Sequence, residues 1–121
     1  MNEFLADTNF LIYLLKGNRS TEPYLSSLLH VSIISEIELL GMPGITETEI
    51  LAAKNLLSDC HLMELNSEIK DYAIELKRKY RMKTADAIIA ATAKYFSVPI
   101  LTADKAFRKI TEIDTVIMNP R

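Results

Sequence analysis

Five short apolar runs rich in strand-forming residues alternate with longer segments whose apolar residues recur at helical spacing, and this alternation most constrains the fold. The short runs are Glu3–Ala6, His30–Ile34, His61–Leu65, Val98–Leu101 and Thr115–Met118. The first long segment carries Leu11, Ile12, Leu14 and Leu15. "TEPYLSSLL" predicts a helix with Thr21 as cap and Pro23 in its first turn, and "EIELLG" one that closes on Gly41. In "ITETEILAAKNLL", Thr46 caps a helix with Glu47 and Glu49 in its first turn. "NSEIKDYAIELKRKY" sets Ile69, Tyr72, Ala73, Leu76 and Tyr80 on one stripe, with Glu68, Asp71, Glu75 and Lys79 facing water. "TADAIIAATAKYF" is apolar almost all round and is expected to lie buried. Strands alternating with helices predict an α/β fold of three layers, α/β/α, around a mostly parallel sheet of four or five strands.

At 121 residues the chain is expected to form one domain, spanning 1–121, around a single core. Only 3 Gly and 4 Pro argue against long structureless segments. No apolar run nears the roughly 18 residues that would span a bilayer, and no basic stretch leads into a small-residue cleavage site, so a cytoplasmic location without membrane contact is expected. The lone cysteine, Cys60, excludes an internal disulfide and reads as a small buried hydrophobe. His30 and His61 each lead into an apolar run without a nearby second ligand and are read as strand-edge residues. The net charge of −2 does not mark a nucleic-acid binder. One dense basic run, Lys77–Lys83, and a group at Lys105, Arg108 and Lys109 stand out; solvated helix ends account for them equally simply.

Four acids fall at junctions between these elements. Asp7 ends the first strand, Glu38 lies in the short helix after the second, Asp86 is in the first turn of the most buried helix, and Asp104 follows "PIL". Ligands of an open parallel sheet collect beyond the carboxyl ends of its strands, where the crossover helices also begin. The four acids are therefore expected at one rim. Each has an ordinary explanation too: Asp7 and Asp104 suit helix caps, Asp86 suits the first turn after a Thr84 cap, and Glu38 an exposed helix face. Jointly they point further. Crowded carboxylates repel and raise one another's pKa, a conflict that a hard divalent cation removes. Such an ion activates water and steadies charge on a phosphodiester, and the pattern supplies no His or Cys nucleophile for another route.

"LADTNFLIYLLKG", "VSIISEIELLG", "TADAIIAATA" and "ILTADKAF" resemble, in order and spacing, the four acidic motifs of PIN-domain ribonucleases, and most of all the small VapC-like toxins of toxin–antitoxin pairs. The resemblance runs from Phe4 to Met118. It implies a PIN-like fold and makes Asp7, Glu38, Asp86 and Asp104 the metal-binding catalytic acids, with Asp104 the least direct and Glu36 the runner-up to Glu38. It gives Thr8 and Asn9 the task of holding the first acid and its waters, and Thr102 that of the hydroxyl before the last acid. Mg²⁺ or Mn²⁺ is the implied cofactor, and RNA the implied substrate. A small antitoxin is the implied partner, in a groove for which Tyr13, Leu14, Tyr24 and Leu40 are candidates, and a homodimer is the implied assembly.

Two other classes are open. A catalytically silent PIN-fold binding or regulatory domain has no use for all four acids. A phosphoacceptor domain using Asp7 as nucleophile favours a second acid two residues on, where Asn9 stands.

Overall fold

Leu5 and Ala6 are consecutive in β1 (Glu3–Ala6), both wholly inaccessible to solvent, yet they belong to different cores. Side chains alternate across a strand, so a strand buried on both faces must be apolar at every position, as β1 is at its carboxyl end. Ile100 and Leu101 in β4 (Ile100–Thr102) repeat the arrangement. The computed structural model describes residues 2–120; the first and last residues of the expected 1–121 domain lie outside the described residues.

The sheet has five strands in the order β3-β2-β1-β4-β5, every pairing parallel. β2 is Leu28–Ser32, β3 His61–Met63 and β5 Thr115–Ile117. One face is covered by α1 (Thr8–Leu15), α2 (Ile33–Leu40) and α3 (Glu47–Ser58), whose Phe10, Leu11, Leu39, Ala53 and Leu57 share a core with Ala6, Val31 and Leu101. The other is covered by α4 (Ser67–Tyr80) and α5 (Thr84–Phe96), with Leu5, Ile69, Leu76, Ile89 and Ile100. The alanines of α5 are buried at positions 87, 90, 91 and 93, which lets it lie closely against α4 and the sheet. Winding proceeds from β1 outward to β2 and β3, then returns through α4 and α5 to β4 on the other side. The order reverses between β1 and β4, the place where an open α/β sheet forms its crevice.

Local chemistry moved several predicted boundaries. β2 begins at Leu28, whose N–H reaches Asn2 O and which pairs with Glu3; it ends where the Ser32 hydroxyl accepts from Ile34 N and starts α2. Ile33 and Ile34 thus enter a helix instead of the predicted strand. The predicted helix over "TEPYLSSLL" is only a 3₁₀ turn, Arg19–Tyr24, capped by Asn18 and not by Thr21. Its last two leucines are already strand. α5 starts after Lys83 with no side-chain cap, so Thr84 is its first residue and not its cap. The Thr46–Glu49 capping box of α3 is present as expected.

The histidines form a cluster of their own at the amino side of the sheet. His30, buried within β2, stacks on Phe96 at 4.2 Å, sits 2.8 Å from Glu3 Oε1 through Nε2, and faces His61 Nδ1 at 2.8 Å through Nδ1. Half-buried Cys60 donates to Leu56 O, and burial pushes its thiol up to about 11. Among the described residues no helix is long and apolar enough to cross a membrane.

Candidate active site

Beyond the carboxyl ends of β1 and β4 lies a cleft of ≈ 120 Å³ lined by Asp7, Thr8, Asn9, Glu38, Asp86, Ile89, Asp104 and Phe107. All four sequence-predicted acids reach it, from four separate segments of the chain. Thr8 and Asn9 line it as well, while Thr102 lies just beneath.

Asp7 is the anchor. Its backbone is extended at φ −78° and ψ 172°, and it caps α1 by accepting Phe10 N–H at Oδ1, 2.8 Å away. The capping role expected for an acid before a helix is therefore real, and it fixes the carboxylate instead of excluding a second use. Oδ2 accepts the hydroxyl of Thr102, a side chain with no exposed surface. Burial raises the Asp7 carboxyl to about 6 against the pull of these two hydrogen bonds, and the charges of Asp104 and Asp86 push it further up. The Thr102 oxygen also accepts Asp104 N–H at 2.9 Å, so one buried hydroxyl ties the first acid to the backbone of the last. Asp104 itself is exposed and caps the 3₁₀ turn Lys105–Lys109 through Ala106 N–H.

Glu38 stands in the last turn of α2 and not near its amino end as the crossover argument expected. It reaches the cleft because its side chain turns toward α1, where the Thr8 hydroxyl lies 2.5 Å from its Oε1. Ser35 Oγ, wholly buried, lies 2.9 Å from the same Thr8 oxygen. Ser35 was not among the expected site residues; a hydroxyl three positions before Glu38, close to one helical turn, is the signal that points to it. Glu36 does not line the cleft. Asp86 occupies the third position of α5, and its carboxyl is raised first by burial, then by Asp104 and Glu38; Lys83 and Lys109 pull it back.

The donor set suits a hard cation: four carboxylates with the Thr8 hydroxyl and the Asn9 amide, and no thiolate or imidazole. Among the described residues no three acidic, histidine or cysteine side chains are gathered tightly enough to enclose an ion as they lie. Glu38 and Asp104 are exposed, so their side chains have room to turn toward an ion. With that movement the residues fit such an ion.

The basic run divides on folding. Lys77 donates to Met82 O, Lys79 pairs with Glu112 at 3.5 Å, and only its far end, Arg81 and Lys83, turns toward the acids. The groove residues also differ from expectation. Tyr24 packs edge-on against Phe4 and Phe10, and Tyr13, Leu14 and Leu40 lean on the core. An apolar cavity of ≈ 250 Å³ lies nearby instead, lined by Ile12, Leu15, Leu39, Met42, Ile45 and Ala52 among others.

The PIN-domain family model matches residues 4–113, and the chain belongs to that family. No curated protein sequence matches it. Among solved structures it is similar to a toxin–antitoxin complex from Klebsiella pneumoniae, at 26% identity and a TM-score of 0.81, covering 93% of this chain and 95% of that one. The VapBC2 complex of Rickettsia felis, bound to a promoter DNA fragment, matches at 18% identity and 0.83, over 97% and 99%. VapBC-1 from nontypeable Haemophilus influenzae matches at 22% identity and 0.81, over 95% and 97%. The five-stranded parallel sheet between helical layers agrees with the expected three-layer fold.

Proposed function

We propose that this chain is a metal-dependent endoribonuclease and the toxin of a toxin–antitoxin pair. The observation that carries the reading is the meeting of Asp7, Glu38, Asp86 and Asp104 at the switch point of the sheet, with no ion pair to Lys or Arg at any of them among the described residues. Mg²⁺ or Mn²⁺ held by these carboxylates would polarise a bound water for attack and offset charge on a phosphodiester.

The chain's residues have distinct tasks in this reading. Asp7, Glu38 and Asp86 hold the ion, and Asp104 completes the set from the exposed rim. Thr102 keeps the Asp7 carboxylate oriented by donating to Oδ2, and lowers its proton affinity. Thr8, steadied by Ser35, orients the Glu38 carboxylate by donating to Oε1, and Asn9 lines the cleft beside them. Buried Ile89 and Phe107 form an apolar floor that keeps the carboxylates facing outward.

An antitoxin partner is supported by the likeness to the toxin–antitoxin complex from Klebsiella pneumoniae. The apolar cavity between α1 and α3, a short distance along α1 and α2 from Thr8 and Glu38, suits a hydrophobic segment of such a partner. A homodimer belongs to the same reading. Cleavage of structured RNA in Mg²⁺ or Mn²⁺, with chelator as control, tests it. Metal-stimulated cleavage that is lost in Asp7→Asn supports the assignment; cleavage indifferent to both chelator and that substitution refutes it.

A further inference from the structure

A second cavity, ≈ 280 Å³, opens off the acidic cleft and shares Asp86, Asp104 and Phe107 with it. Its remaining wall comes from the α4–α5 turn and the 3₁₀ turn after β4: Arg81, Met82, Lys83, Ala106 and Lys109. We infer that this cavity seats one sugar-phosphate unit of a single-stranded RNA, adjacent to the bond being cut, with Arg81, Lys83 and Lys109 binding its phosphate. The inference rests on the ribonuclease reading for its placement beside the scissile bond.

Charge distribution is the first argument. Among the described residues, none of these three cations forms an ion pair, whereas Lys79 four residues upstream of Lys83 is matched by Glu112. Unmatched cations drawn from two separate segments into one concavity make an anion seat. Both lysines line the same cavity as Asp86 and Asp104, which places them at the edge of the acid cleft. The first-turn N–H groups of α5, which lack a side-chain cap, add partial positive charge at the same mouth.

Conformation supplies the second argument. Arg81 closes α4 in the left-handed region, φ 55° and ψ 45°, where Gly or Asn is more comfortable. A guanidinium held at conformational expense on the rim of a cavity fits a task outside the fold.

Chemistry and shape define the occupant. Beside the two carboxylates it shares with the acid cleft, the wall offers three cationic side chains and no exposed aromatic ring, so it reads backbone and not base. A concave seat of this size accepts a splayed single strand more readily than the regular outer surface of a duplex.

The test measures binding apart from cleavage. Anisotropy of a short fluorescein-labelled single-stranded RNA is followed on the Asp7→Asn background, across a salt series. Lys83→Gln/Lys109→Gln is expected to weaken Kd by about tenfold and to reduce the slope of log K against log salt by about 0.7 for each phosphate that is no longer neutralised. Lys83→Arg/Lys109→Arg is expected to restore both, and Lys54→Gln, on the far face, to change neither. Arg81→Asn removes a cation while suiting the left-handed backbone, so its expected loss of binding comes without loss of folding. In the cleaving protein the same changes are expected to raise KM and leave kcat within about twofold. RNA cleaved normally, with the glutamine variants binding like Lys54→Gln, would overturn the seat and leave the nuclease. Cation-dependent binding without any metal-dependent cleavage would support the seat and overturn the nuclease.

Discussion

The two ends of the sheet handle charge in opposite ways. At the amino side, Glu3 meets His30 at 2.8 Å, His30 meets His61 at 2.8 Å, and Phe96 covers the pair. Each of these three polar side chains has a partner from a neighbouring strand. At the carboxyl side four carboxylates share a cleft, two of them with raised pKa, and among the described residues hydroxyls are the only side-chain donors hydrogen-bonded to them. The same sheet, built from the same alternation of strands and helices, pairs its polar side chains at one end and gathers carboxylates at the other. Accumulated like charge opposes folding, so the carboxyl end is organised for something that folding alone does not need.

Breaking the carboxyl end gives the largest expected effect. Asp7→Asn keeps the α1 cap, because Asn accepts from Phe10 N–H as Asp does. Metal-dependent cleavage is expected to fall on the order of 10³-fold, read as initial rates, while circular dichroism is unchanged.

Thr102→Val comes next. It removes the donor to Asp7 Oδ2 without changing shape, and a loss of about 10–100-fold in metal affinity is expected. Because that bond lowers the Asp7 pKa, its loss moves the acid limb of the pH–rate profile to higher pH. A valine variant with an unmoved limb would show that Thr102 does not act through Asp7.

The third effect is on stability. Burial raises Asp7 from 3.8 to about 6, so the folded chain retains a proton that the unfolded chain has released. With respect to this group, stability is greatest below about pH 4 and falls as pH rises through that window, by at most about 3 kcal/mol. In chelator, wild type is expected to lose stability relative to Asp7→Asn between about pH 4 and 6 and to lose nothing further above it. Urea denaturation of both proteins across that range reads the difference.

The smallest effect belongs to the amino end. Glu3→Gln leaves a hydrogen-bond acceptor beside His30 and removes a half-exposed charge, so a change under about 1 kcal/mol and no change in cleavage are expected. A loss of cleavage there would abolish the contrast between the two ends.

Much of this organisation was legible in the sequence, for reasons that differ by residue. The strands followed from apolar period, but the single core expected from chain length is two, because β1 and β4 bury both faces and the sheet separates the helical layers. Asp7 and Asp104 were placed correctly because they closely follow strands, where topology alone fixes their rim. Glu38 was found for a partly mistaken reason: α2 begins earlier than expected, and the residue reaches the cleft through its hydrogen bond with Thr8, a pairing thirty positions apart that no local pattern contains. The division of the basic run was equally hidden. Lys79 faces Glu112 because the segment after the Lys105–Lys109 turn folds back toward α4, whereas Lys83 meets Lys109 across a cavity. The short 3₁₀ turn at Arg19–Tyr24 was misread as a helix because a Pro in the first turn and a leucine repeat suit both. Asn18 decided the matter by closing the turn on Ser20 two residues later.

Titration of Mn²⁺ into the protein, followed by loss of the free-ion paramagnetic resonance signal, reaches the central claim with neither substrate nor turnover involved. Wild type is expected to bind the ion above about pH 6, where Asp7 is ionised, and Asp7→Asn, folded alike, to lose most of that affinity. Equal binding by the two proteins, or none by wild type at any pH, would contradict the view that these remote acids converge to hold a dication.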